Sequence, residues 1–252
     1  MKTTVFFSDT HLEREGGKRT RLLCRFLDSL TDAQAVYILG DLFDYWVGPA
    51  QLQMMKCEEV LEKLRALSNR GVKVYLLQGN RDFLLGKAEE KLLNVSVLGD
   101  AVSISLGQKS VYLAHGDLFC TNDKDYLLLR HILRFKPFQI LFKLLIPSAL
   151  KLLLARAARR SSSEIVRRKA AKTKGVNPAA VLRIFSRGYD VVVCGHIHEP
   201  RQVSYTVGTR KCTLFVLGDW SSEGSYVQYC DGVFSLKRFA NCSVERIQVF
   251  SL

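Results

Sequence analysis

Four of the five histidines in this 252-residue chain, with Asp9, Asp41 and Asn80, fall in short polar motifs that each follow an apolar run. In chain order the motifs are Asp9-Thr10-His11, Gly40-Asp41-Leu42-Phe43-Asp44, Gly79-Asn80-Arg81-Asp82, His115-Gly116-Asp117 and Gly195-His196-Ile197-His198. Imidazoles and carboxylates are metal ligands, and a buried strand over 190–194 that ends by offering two imidazoles reads as half of a metal site. Taken singly, the other motifs are weak. Asp9 and His11, two apart on an extended backbone, share a face but have a structural reading too, and Asn80 alone reads as a turn residue.

The elements that must position these groups alternate. Residues 3–8 are β-rich. The segment 18–30 has helical spacing at Leu22, Leu23, Phe26, Leu27 and Leu30. A strand at 35–39 is followed by a helix at 51–69 with Leu52, Met55, Val60, Leu61, Leu64 and Leu67 on its core face, then by a Gly71 stop and a strand at 72–77. A short helix, strands near 95–99 and 102–106, and the run 110–114 lead to His115. Beyond His198, strands near 202–208, 212–218 and 225–239 form a β-rich close. This pattern predicts one α/β domain of mixed sheets covered by helices, with its site at the carboxyl ends of the strands.

Composition narrows the class. At 48% hydrophobic the chain is globular. Seven cysteines, odd in number and without a C-x-x-C pair, predict reduced, buried thiols. An acid at position 9 comes too early for a signal peptide, so a cytoplasmic protein is expected. The formal net charge of +13 is concentrated in residues 124–174, which hold fourteen Lys or Arg against Asp125 and Glu164. That segment is helical in period, is broken at Pro137 and Pro147, and is interrupted by Lys143 and Lys151, too often for a membrane span. It suits a membrane surface or an amphipathic ligand. The alternative is a helical cap with its Leu and Phe in the core and its Lys and Arg solvated.

The ordered set D-x-H, G-D-x-x-D, G-N-R-D, H-G-D and G-H-x-H resembles the calcineurin-like metallophosphoesterases. The resemblance implies an αββα sandwich, two mixed β-sheets flanked by helices, with two metals at the strand ends. One metal would take Asp9, His11 and His198, and the other Asn80, His115 and His196, with Asp41 bridging. Mixed nitrogen and oxygen ligation suits Mn, Fe or Zn more than Ca or Mg. Asp44 and Asp117 would orient the histidines and loops from behind.

Many members carry a histidine after G-N, where this chain has Arg81. Arginine cannot protonate a leaving alkoxide, but it can clamp phosphate oxygens in a fork. That favours cleavage of a pyrophosphate, whose leaving phosphate needs no proton. Five stretches (37–48, 79–87, 115–123, 195–200 and 217–220) are similar to the UDP-2,3-diacylglucosamine diphosphatases of lipid A synthesis, GNRDFLLGK being the most specific. The resemblance implies a core of 1–122 and 176–239, an inserted basic cap at 123–175, and an unassigned tail at 240–252. It implies Asn80, Arg81 and His115 as catalytic residues, and Asn80, Arg81, Asp123, Tyr126, Ser162, Lys169 and His196 as substrate contacts. It further implies two divalent ions, manganese expected, that activate a water to attack the α-phosphate, and peripheral attachment to the inner membrane. A monomer and no nucleic acid are expected.

Two departures bear on the sugar-nucleotide contacts and not on the metals: the arm at 169–177 lacks the usual serine after its lysine, and Gly175 replaces an acid. Rival readings are a pyrophosphatase or phosphodiesterase acting on a soluble nucleotide, a nucleic-acid-binding phosphoesterase using the basic segment as a clamp, and a scaffold without activity. Sparse stacking aromatics in the basic segment weigh against the second, and a full set of ligand types weighs against the third.

Overall fold

The computed structural model describes residues 2–12, 17–49, 51–52, 57–120, 124–147, 150–151, 153–154, 175–240 and 243–246. Two mixed sheets face each other. Strands β1 (Thr3–Phe7), β2 (Ala33–Ile38), β3 (Lys73–Leu77) and β4 (Ser96–Gly99) run parallel as one half of the first sheet. In the second, β5 (Ala101–Leu106) pairs antiparallel with β6 (Lys109–Ala114), and β6, β7 (Val191–His198) and β9 (Arg210–Gly218) run parallel. β8 (Arg201–Val207) closes its edge antiparallel to β9. β10 (Gly224–Cys230), β11 (Val233–Ala240) and β12 (Ser243–Arg246) extend the first sheet antiparallel from β1, giving the order β12-β11-β10-β1-β2-β3-β4.

Strand period divides the apolar residues between layers. Phe6 points between the sheets, where it joins Tyr37, Val111, Val193, Phe215 and Val227. Val5 and Phe7 point the other way, toward helices α1 (Lys18–Ser29) and α2 (Glu58–Asn69). On the far face of the second sheet, Val192 and Cys194 meet Val181 and Phe185 of a helix at Pro178–Ser186. Such two-sided burial is why the parallel strands read as near-continuous apolar runs. Phe26 of α1 anchors the outer layer, with its ring 4.9–5.6 Å from those of Phe7, Trp220, Tyr226 and Phe239.

Several expectations change in detail. The run 225–239 is not one strand but the hairpin β10–β11, turned at Asp231 (φ 48°) and Gly232 (φ 86°), both left-handed as a two-residue hairpin turn needs. The tail supplies β12. The strand expected to stop at Cys194 continues to His198, with a register irregularity between those two residues. Cys24, Cys57, Cys120, Cys194 and Cys212 are buried free thiols, as expected.

A short helix α3 (Lys87–Leu93) leads into β4, and after β6 the chain enters α4 (Lys124–Arg134) and α5 (Lys136–Leu145), separated near Pro137 and ended before Pro147. Their leucines are not core: Leu128, Leu129, Leu144 and Leu145 are 52–77% exposed. Among the described residues no helix is long and apolar enough to cross a membrane.

Replacing Phe26 by Ala removes the ring shared by four aromatic neighbours. We expect a loss of about 3–5 kcal/mol in urea unfolding, whereas the exposed Leu144→Ala should change stability by roughly 0.5 kcal/mol or less.

Candidate metal centre

Every expected ligand that the sequence placed at a strand end does lie beyond, or at the end of, β1, β2, β3, β6 or β7. The loops after β1 and β2 stay paired past the strands. His11 N donates to Asp41 O (3.0 Å) and Leu12 N to Leu42 O (2.9 Å), so Asp9, His11 and Asp41 are held side by side. Asp9, His11, Asp41, His196 and His198 all have positive φ, between 45° and 69°. Only two other non-glycine residues among those described share that conformation, Asn94 and Asp231.

Two clusters result. In the first, His11 Nε2 is 3.2 Å from His198 Nε2, and Asp9 Oδ1 is 3.2 Å from His198 Nε2. In the second, Asn80 Oδ1 lies 2.8 Å from His115 Nε2 and 3.0 Å from His196 Nδ1. Asp41 Oδ2 stands between them, 3.8 Å from His11 Nδ1 and 3.7 Å from His115 Nε2. Its Oδ1 is occupied by Arg81 N at 2.9 Å. The donor atoms of Asp9, His11 and His198, and those of Asp9, Asp41 and His115, gather within 4.8 Å of one another.

The donor set fits divalent ions. Asp9 Oδ2 accepts from Ser8 Oγ (2.5 Å) and His196 N (2.9 Å), while Asp9 Oδ1 faces His198 Nε2 at 3.2 Å and His11 Nδ1 is buried without a hydrogen-bond partner. His115 Nδ1 donates to Leu39 O at 2.9 Å, which leaves Nε2, 2.8 Å from Asn80 Oδ1, as the nitrogen that can ligate once it has lost its proton. Buried lone pairs aimed at common points are costly unless a cation joins them.

Charge follows the same geometry. Burial alone would raise Asp9, but His198 at hydrogen-bond distance and the nearby charge of His115 hold it well below the usual carboxylate range. Burial pushes Asp41 up, helped by Asp82 and Asp9. Burial holds His11 down at about 2 and His196 at about 4, so both rings are neutral. Burial would lower His115 as well, yet the carboxylates of Asp41 and Asp9 outweigh it and push it up.

The family model for calcineurin-like phosphoesterases matches residues 2–200. The chain belongs to that family. It is 38% identical over 247 residues to a UDP-2,3-diacylglucosamine hydrolase of Stenotrophomonas maltophilia strain K279a, which covers 94% of this chain and 99% of that protein. It is 36% identical to the protein of that name in Pseudomonas savastanoi pv. phaseolicola (93% and 95% covered) and 36% to that in Pseudomonas aeruginosa strain UCBPP-PA14 (88% and 92%).

Around this phosphoesterase site the structure adds groups given no role from the sequence. Asp82, the last residue of G-N-R-D, accepts from Gly79 N (2.7 Å), Leu42 N (2.9 Å) and Asp41 N (3.2 Å), tying the turns after β2 and β3 together. Gly79 must be glycine, because a Cβ there would sit 2.1 Å from Asp41 Oδ1. Asp44 pairs with Arg81 Nη1 at 3.1 Å, and Asp117 with Arg130 Nε at 2.6 Å, so the two expected orienters hold arginines. Asp123, Ser162 and Lys169 lie outside the described residues, as does the side chain of Tyr126.

Adding manganese should raise the Tm of metal-free protein and release protons, since His115 must lose its proton to ligate; affinity should fall as pH is lowered. Titration calorimetry in buffers of different ionisation enthalpy measures the release. Asp41→Ala should cut the Tm rise at least by half, and an undiminished rise would remove Asp41 from the shared position.

Proposed function

We propose that the chain hydrolyses UDP-2,3-diacylglucosamine to UMP and 2,3-diacylglucosamine 1-phosphate, with two manganese ions held by Asp9, His11 and His198 and by Asn80, His115 and His196, and shared by Asp41. The observation that carries the reading is the pairing of these two donor clusters with a guanidinium rather than an imidazole at their mouth. When bound, the ions supply an acidified water as nucleophile and positive charge for the phosphoryl oxygens. In the reaction the water oxygen bonds to the α-phosphorus and the bond from that phosphorus to the bridging oxygen breaks. The β-phosphate leaves with the electron pair.

Arg81 suits that leaving group. Its side chain is 31% exposed, and Asp44 and Asp41, 3.1 and 3.6 Å away, aim it along the rim of the site. There it can fork onto phosphate oxygens without giving up a proton. Asn80 and His196 border the same point and complete the polar contacts. The relatives' name supplies the substrate, and the site chemistry agrees with it.

Residues 123–175 serve in this reading as a cap inserted into a core of 1–122 and 176–239. The exposed leucines of α4 and α5, set in a segment with fourteen basic residues, suit acyl chains and an anionic membrane surface on the cytoplasmic side. A soluble nucleotide substrate would give that apolar face nothing to bind.

Purified protein with manganese should release UMP from the diacyl sugar nucleotide and prefer it over soluble dinucleoside pyrophosphates; equal rates on both would favour the soluble-substrate reading. Arg81→Ala should lower kcat/KM by about 10²-fold with metal content unchanged. In co-sedimentation with phosphatidylglycerol vesicles, Leu144→Glu should weaken binding, and indifference to that change would detach the apolar face from the membrane.

A further inference from the structure

Helix α4 is mounted with its charged side inward. Arg130 and Arg134, one turn apart, have side chains only 13% and 11% exposed, while Leu128 and Ile132 on the opposite face are 65% and 48% exposed. Both guanidinium groups converge on Asp100, between β4 and β5, one on each carboxylate oxygen. Each then reaches a turn of the metal centre. Arg130 Nε donates to Asp117 Oδ2 at 2.6 Å, two residues beyond His115. Arg134 Nη2 donates to Gly79 O at 2.9 Å, one residue before Asn80, and its Nη1 donates to Gln78 Oε1 at 2.9 Å. Gln78 is fixed in turn, its N donating to Gly99 O at 2.7 Å.

The two turns so gripped carry Asn80 and His115, two donors of the second cluster. The turn after β1 and the residue His198, which form the first cluster, receive no such contact from these arginines. We infer that Arg130 and Arg134 are positioning residues, which set the second cluster of donors and the orientation of the apolar cap helix as one unit. The inference builds on the reading of 123–175 as the substrate cap. A fork with two N–H groups on Gln78 and Gly79 fixes the plane of that turn, which a single lysine ammonium cannot reproduce.

The test uses the full chain and the variants Arg134→Gln, Arg134→Lys and Asp100→Asn. Manganese stoichiometry is measured by equilibrium dialysis, Tm by calorimetry, and turnover on both bis(p-nitrophenyl) phosphate and the diacyl sugar nucleotide. We expect each variant to keep one tightly bound manganese while affinity for the other falls by about tenfold or more. The kcat on the small diester should fall with it, KM should stay near its original value, and excess manganese should restore part of the rate. Two ions bound with unaltered affinity and an unaltered kcat would overturn the inference, as would a loss confined to KM for the acylated substrate, which would leave the arginines as anchors of the cap alone. If Arg134→Gln does not fold, Arg134→Lys carries the same expectations and the same overturning outcomes. Should the unmodified protein fail to release UMP, the substrate assignment falls, while stoichiometry and the small diester still decide the role of the arginines.

Discussion

The centre depends on where one oxygen sits. Asp41 Oδ2 is fully enclosed between His11 Nδ1 and His115 Nε2, while the other oxygen of the same carboxylate is taken by Arg81 N. Fixing it there requires the turn after β2 to be gripped from both sides. Backbone bonds to the loop after β1 hold one side, and the Asp82 carboxylate holds the other through Asp41 N and Leu42 N. Gly79 and Gly195 complete the enclosure by having no Cβ, since one at either position would overlap Asp41 or Asp9.

This arrangement is held against a cost in backbone strain. Left-handed φ at a non-glycine residue costs on the order of 1–3 kcal/mol, somewhat less for Asp, which tolerates it better. Five such residues at one site therefore approach the net stability of a whole domain, about 5–15 kcal/mol. The sheets on either side must supply the excess, and they do so with apolar strands buried on both faces. Ion binding to lone pairs that otherwise have no partner offsets the rest, so the folded site and the bound cation stabilise each other.

Much of this was legible before the fold was known, for a physical reason. A parallel strand buried on both faces is an apolar run, and the first polar residue after it marks the strand's carboxyl end, where these folds place their chemistry. All five motifs were found that way, and α1 and the central strands fell close to their expected bounds, whereas α2 ends as expected but begins at Glu58 and not at 51. Pairing across the gap between sheets was not legible. The motifs alone do not say that His115 meets Asn80 rather than His11, a grouping that only the family resemblance implied, and nothing in H-G-D says that Asp117 holds Arg130. Asp82 was in view inside G-N-R-D, but its three amide partners come from segments about forty residues apart. The tail strand β12 is four residues long and shows no clear alternation.

The orientation of α4 was also hidden, because an amphipathic period reveals two faces without saying which is inside. The magnitudes explain the outcome. Turning the helix to bury Leu128 and Ile132 would gain roughly 1.5–3 kcal/mol for each side chain. It would also strip Asp117, which is itself buried, of Arg130 and turn both guanidinium groups away from their present acceptors into water. Breaking one buried ion pair costs about 3–5 kcal/mol, and Arg130 and Arg134 make contacts at Asp100, Asp117 and Gly79 that would be lost together. The polar side wins, so the core fixes the helix through charge and leaves its apolar face outward. A helix held in that way presents leucines at a set angle to the metal centre, which loose apolar packing would not enforce.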